Sequence, residues 1–177
     1  MSKNAHFVLL AATSLLALEG CATRPDIHVR GDAFARSTSA RTFAILPVQV
    51  SASVPPATAT AVSEAAQTGA RDRLRELGYT ETGITNTDLV FYVHGKAMTP
   101  APVTQWGYQP DPGRFGLKPS DMTATADRRV FVEAYDNHSK RQVWLGWIEC
   151  SCRTVNPERI QNEIERIVAA FPPRSRS

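Results

Sequence analysis

Residues Arg129 to Cys150 read RVFVEAYDNHSKRQVWLGWIEC: two apolar runs, Arg129 to Tyr135 and Gln142 to Cys150, flank the polar stretch Asp136 to Arg141. β-Branched and aromatic side chains suit a pleated, half-buried surface, while Asp, Asn and Ser supply oxygens that close turns, so the stretch predicts an antiparallel hairpin. Trp144 and Trp147 lie three positions apart and so point to opposite faces of their strand. One enters a core. The other needs a cover, and a helix is the expected one.

Toward the C-terminus, Asn156 is placed to cap a helix with Pro157 at its first position. Ile160, Ile164, Ile167 and Val168 then draw an apolar stripe at helical spacing until Phe171-Pro172-Pro173 ends it. Toward the N-terminus, Asp88 to His94 (DLVFYVH) is apolar on both faces except at Tyr92 and His94, which share a side, and it reads as a central strand. Upstream, Val62, Ala65, Ala66, Gly69, Ala70, Leu74 and Leu77 mark a helix over Ala57 to Leu77 that Gly78 stops. Its small residues imply close packing on a sheet. Thr42 to Val48 is a further strand, with Pro47 at its end, and Ile27 to Arg30 a first one broken by Gly31-Asp32.

Between the strands a segment from about Ala97 to Asp127 loses all periodicity and holds Pro100, Pro102, Pro110, Pro112 and Pro119 with three glycines. Loops beyond about 15 residues are uncommon in compact domains and often functional. Trp106, Tyr108 and Phe115 interrupt it, and either fold back on the domain or anchor a partner. We take them as the candidate partner-binding residues. The fold class expected is α+β: a four- to five-stranded mixed or antiparallel sheet with two helices packed on it in the order β-α-β-β-β-α.

These landmarks recur in a familiar order: Thr42-Phe43-Ala44 leading to Leu46-Pro47, Leu77-Gly78-Tyr79, Asp88-Leu89-x-Phe91, Asp136 through Val143-Trp144-x-Gly146, and Phe171-Pro172-Pro173. In this the chain resembles the bacterial lipoprotein family built on domain of unknown function 4136, over nearly all of its length past residue 21. The resemblance implies a fold and no established activity.

The first residues read as an address. Lys3 is a short positive region, Phe7 to Leu18 is apolar, and Cys21 follows directly. A twelve-residue apolar helix would rise about 18 Å, short of the roughly 30 Å hydrocarbon core. Leu18-Glu19-Gly20-Cys21 resembles a lipobox, matching at Leu18, Gly20 and Cys21, which implies diacylglyceration of the Cys21 thiol and cleavage before it. Several acyl chains, each contributing about 0.8 kcal/mol per buried methylene, would hold the protein on a bilayer. The expected organisation is a signal peptide over 1–20, a lipidated tether over 21–26, one domain over 27–173 with its loop at 97–127, and a tail at 174–177. Ala22 lacks the aspartate that in some bacteria retains lipoproteins at the inner membrane, which favours the outer membrane and a periplasmic location.

The 177 residues carry a net charge of only +3, too little for the Lys/Arg stripe that binds nucleic acid. Past Cys21, the histidines His28, His94 and His138 show no metal-ligand spacing, and Cys150-x-Cys152 could be free, bonded or metal-bound. Glu133 and Asp136 could imitate a carboxylate couple, but Asp136 opens a turn and Glu133 is expected to face solvent. No Gly-x-Ser-x-Gly elbow or Gly-rich phosphate cradle is present. We expect no catalytic residue, metal or cofactor. The expected function is a non-catalytic, membrane-anchored envelope lipoprotein whose partners are the bilayer, through Cys21, and an envelope protein. The alternative is a small-ligand binder or hydrolase with a cleft under the 97–127 loop.

Overall fold

The computed structural model of the chain describes residues 26–31, 39–95, 97–98, 103–116, 129–149 and 155–174. Cys21, Cys150 and Cys152 lie outside them, as do the lipobox and part of the Pro/Gly loop. The strands are β1 (Ile27–Gly31), β2 (Thr42–Ile45), β3 (Thr80–Glu81), β4 (Leu89–Gly95), β5 (Arg129–Asp136) and β6 (Gln142–Glu149), and the helices are α1 (Pro56–Glu76) and α2 (Pro157–Ala169). They form one mixed sheet in the order β1-β6-β5-β4-β2-β3, with β2 parallel to β3 and β4 and the other pairs antiparallel. The α+β expectation holds, with six strands in place of four or five. The added strand, β3, is two residues long and has no periodicity to announce it; backbone bonds from Thr80 N to Arg41 O and from Thr82 N to Phe43 O create it.

The hairpin forms where its composition places it. Asp136 Oδ1 accepts from Ser139 N at 2.7 Å and from Ser139 Oγ at 2.8 Å, and Lys140 takes a positive φ of 58° that brings the chain back. Strand β2 is shorter than expected, ending at Ile45, although Leu46 N still donates to Phe91 O before Pro47 interrupts the ladder.

One face of the sheet buries Phe43, Leu89, Phe91, Val93, Val130, Val132, Ala134, Trp144 and Ile148 under both helices. On α2, the Asn156 side chain accepts from Arg159 N at 3.1 Å, Pro157 opens the helix, and Ile160, Ile164, Ile167 and Val168 are fully buried, as their spacing implies. Phe171 closes this core edge-on to Phe91 and Trp144, with centroids 5.1 and 5.2 Å away. Val62, Ala66, Ala70 and Leu74 of α1 share this core with the sheet residues, as the stripe implies, while Gly69 serves a different contact. A Cβ on Gly69 would stand 2.8 Å from the backbone oxygen of Gln161, so Gly69 admits α2 rather than the sheet. Gly78, with φ of +93°, ends α1 as the sequence implies.

The opposite face is also covered. Ala44, Leu46, Val90, Tyr92 and Tyr135 form a second cluster with Val103 and Tyr108, and Phe131, Leu145 and Trp147 form a third with Phe115. Val103, Tyr108 and Phe115 belong to the Pro/Gly segment, so a stretch without periodicity supplies a third layer. The cover of Trp147 is thus Phe115, with His28 stacked on its ring at 5.1 Å, and not a helix.

Candidate functional site

The Pro/Gly segment is seated on the hairpin by hydrogen bonds. Gln109 N donates to Lys140 O at 2.8 Å, Gln142 N donates to Gln109 O at 3.3 Å, and Asp111 N donates to the Gln142 side-chain oxygen at 2.9 Å. Tyr108 supplies the central fastening: its hydroxyl donates to Asn137 Oδ1 at 2.7 Å, and Lys140 Nζ, 2.6 Å from the same oxygen, sits 4.7 Å above the Tyr108 ring. The Asn137 amide completes the set by donating to Ile84 O and Thr87 O, both at 2.9 Å. Burial raises the Tyr108 phenol above its ordinary pKa, so it stays a neutral donor.

Of the three aromatics proposed as partner anchors, Tyr108 and Phe115 are therefore inside the domain, at 1% and 5% exposure. Only Trp106 is half-exposed, tilted against Tyr92 with centroids 6.5 Å apart. The physical reason is the other face of the sheet: its apolar row could not remain in water, and the aromatics of the adjacent segment supply the area to cover it. Among the described residues, Val103, Tyr108 and Phe115 are the side chains of the segment that are buried against this face.

Beneath this layer lies a buried polar cluster. Nε2 of His94 lies 2.7 Å from Oε1 of Glu133, and the Tyr135 hydroxyl donates to Oε2 of the same carboxylate. The His94 ring is stacked between Tyr92, at 5.1 Å, and Phe131, at 4.9 Å. Both His94 and Glu133 are 3% exposed, which corrects the expectation that Glu133 faces solvent. Strand alternation decides it: Val132 and Ala134 face the helices, so Glu133 shares the second face with Phe131 and Tyr135. The signal was present in the sequence, since an acid flanked at both i−2 and i+2 by aromatics lies on an apolar row. Burial, then the adjacent Glu133 carboxylate, pushes the Tyr135 phenol far above its ordinary pKa and keeps it neutral.

Among the described residues, His94 Nδ1 has no hydrogen-bond partner. The imidazole is walled by two aromatic rings and shares the Glu133 carboxylate with the Tyr135 phenol. Among the described residues no three His, Cys, Asp or Glu side chains converge where a metal ion could sit. His28 lies on the edge strand, stacked on Trp147, and His138 is exposed in the hairpin turn, so the histidines do not converge. An open cleft of about 380 Å³ between the C-terminal halves of α1 and α2, lined by Asp72, Arg73, Glu76, Glu165 and Arg166, mixes both signs of charge and selects for neither.

No family model matches the chain, and no curated protein does. Solved structures do. A DUF4136 family protein from Bacteroides thetaiotaomicron VPI-5482 superimposes with a TM-score of 0.52 at 13% identity, covering 81% of this chain and 93% of that one. The PelC dodecamer from Paraburkholderia phytofirmans matches with a TM-score of 0.44 at 15% identity, covering 85% and 100%. A PDZ domain protein from Parabacteroides distasonis ATCC 8503 matches with a TM-score of 0.48 at 12% identity, over 86% of this chain and 36% of that one. The first of these likenesses shows that the chain shares the fold of a DUF4136 family protein, as the order of its sequence landmarks implied.

Proposed function

We propose that the chain is a non-catalytic lipoprotein of the bacterial cell envelope, held at a membrane surface by acyl chains on Cys21 and acting there as an interaction or structural module. The observation that carries this reading is that the chain covers both faces of its own sheet, with helices on one and the Pro/Gly segment on the other. Its acid–base side chains His94, Glu133 and Tyr135 are buried in that packing. The anchor is argued from Leu18-Glu19-Gly20-Cys21 after an apolar run, and from the few residues between Cys21 and β1. Among the described residues no helix is long and apolar enough to cross a membrane. A periplasmic position at the outer membrane follows from Ala22, and the bilayer and an envelope protein are the partners.

The test is metabolic labelling with a clickable fatty acid, followed by membrane fractionation of wild type and Cys21→Ser. Label on the wild type, and its loss together with release or failed processing in Cys21→Ser, is the expected result. A Cys21→Ser product that is unlabelled, normally processed and still membrane-bound would refute the anchor.

A further inference from the structure

The two edges of the sheet are finished differently. At one, pairing stops after the two residues of β3, and the Glu81 carboxylate is held by Arg71 Nε at 3.0 Å and by Arg75 at 2.8 Å. A short, charged, occupied edge resists a further strand. At the other, β1 pairs with β6 over five residues, from Ile27 opposite Ile148 to Gly31 opposite Trp144, and no strand among the described residues lies on its outer side. Every second residue of such an edge strand turns its N–H and C=O outward, which makes the edge a template for strand addition.

The side chains of β1 say what such a strand would carry. Ile27 and Val29 lie on the helix side of the sheet, and Val29 is 44% exposed, the most exposed large hydrophobic side chain among the described residues. His28 and Arg30 alternate with them on the other side, both exposed, His28 resting on Trp147. An incoming strand thus meets an apolar position on one face and cationic or basic positions on the other. A second copy of β1 fits poorly: laid parallel in register it opposes Arg30 to Arg30, laid antiparallel about Val29 it opposes Arg30 to His28, and β1 itself (IHVRG) has no carboxylate to offer.

We propose that the outer edge of β1 receives an extended segment of a partner protein whose residues alternate apolar with acidic, adding a seventh strand to the six described. This deepens the interaction-module reading and rests on it. Because β1 begins a few residues after Cys21, the partner would be engaged close to the membrane.

The experiment uses the full-length protein in detergent micelles and two short labelled peptides, one alternating valine with glutamate and one alternating valine with lysine. Binding of the valine/glutamate peptide at least tenfold tighter than the valine/lysine peptide is expected, with amide-exchange protection rising in β1. Arg30→Glu should reverse the preference, and Val29→Lys should weaken both peptides, each with an unchanged circular dichroism spectrum. Equal binding of the two peptides, no binding, or binding indifferent to Arg30→Glu overturns the proposal. A dimer in sedimentation that Val29→Lys dissociates would also overturn it, by making a second copy the occupant. The outcome is independent of acylation, so failure of the anchored reading, seen in Cys21→Ser fractionation, is separable from failure at this edge.

Discussion

Gly69 and Gln161 face each other where α1 and α2 pack side by side, with space for hydrogen at position 69 and for nothing larger: a Cβ there would approach the Gln161 carbonyl oxygen to 2.8 Å. On an open helix surface, replacing glycine by alanine would gain about 1 kcal/mol of helix propensity. Against a backbone atom the helices must part, and overpacking costs about 1 to 3 kcal/mol. Gly69→Ala is therefore expected to destabilise, and Gly69→Val to destabilise more, in reversible denaturant unfolding. A stabilised Gly69→Ala would show that the helices do not meet there.

Asp88 ties the start of β4 to that of β2. Its carboxylate accepts from Arg41 N at 2.8 Å, Thr42 N at 2.9 Å and Thr42 Oγ1 at 2.8 Å, while Asp88 N donates back to Thr42 Oγ1. Burial by itself would raise this carboxyl, but the hydrogen bonds from Arg41 and Thr42, with the charge of His138, hold it below its usual range. A lowered folded-state pKa means that the contribution is complete above the unfolded value of about 3.9 and is lost as pH falls through the folded value. Asp88→Ala should cost about 1 to 2 kcal/mol at neutral pH and flatten the loss of stability below about pH 4, measured as denaturation midpoint against pH.

Tyr135 works at the other end of the scale. Its folded-state pKa is raised, so the neutral phenol contributes in full below the unfolded value of about 10, and that contribution is lost as pH rises beyond it. Tyr135→Phe should remove part of the alkaline destabilisation seen in thermal melts above about pH 10. An unaltered alkaline limb would place the phenol in water.

The His94, Glu133 and Tyr135 cluster should show the asymmetry of buried polar groups. Glu133→Ala strands an imidazole and a phenol in an apolar layer and should cost about 3 to 5 kcal/mol. The triple variant His94→Phe, Glu133→Leu, Tyr135→Phe removes every polar member and should lose less than the single change. Equal losses from equilibrium unfolding would mean that packing, not polar satisfaction, sets the cost.

The aromatics of the Pro/Gly segment should separate by burial. Tyr108→Ala and Phe115→Ala are each expected to cost about 3 to 5 kcal/mol, and the half-exposed Trp106→Ala clearly less. Replacing residues 100–121 by a short Gly/Ser link should lower the melting temperature, since it exposes the row of Val90, Tyr92, Phe131 and Tyr135. A shortened protein that melts unchanged would return these aromatics to the role of partner anchors.

What the sequence determined by itself is what local chemistry and periodicity can carry. The hairpin over 129–149, the strand from Leu89, the isoleucine stripe of α2 with its Asn156 cap, and the stop at Gly78 all rest on interactions within a few residues, so their signals survive without tertiary context. The tertiary structure alone decided which second partner each face would find. Glu133 looked solvent-facing because strand alternation says which side a residue takes, not whether that side is wet; a segment with no period of its own came down over it, bringing Tyr108 and Phe115 into the core. Gly69 signalled close approach, expected to a sheet and found against α2, and β3 exists only because two backbone stretches far apart in the chain are brought side by side. Burial is a property of long-range contact, and no window of neighbouring residues contains the atoms that will exclude the water.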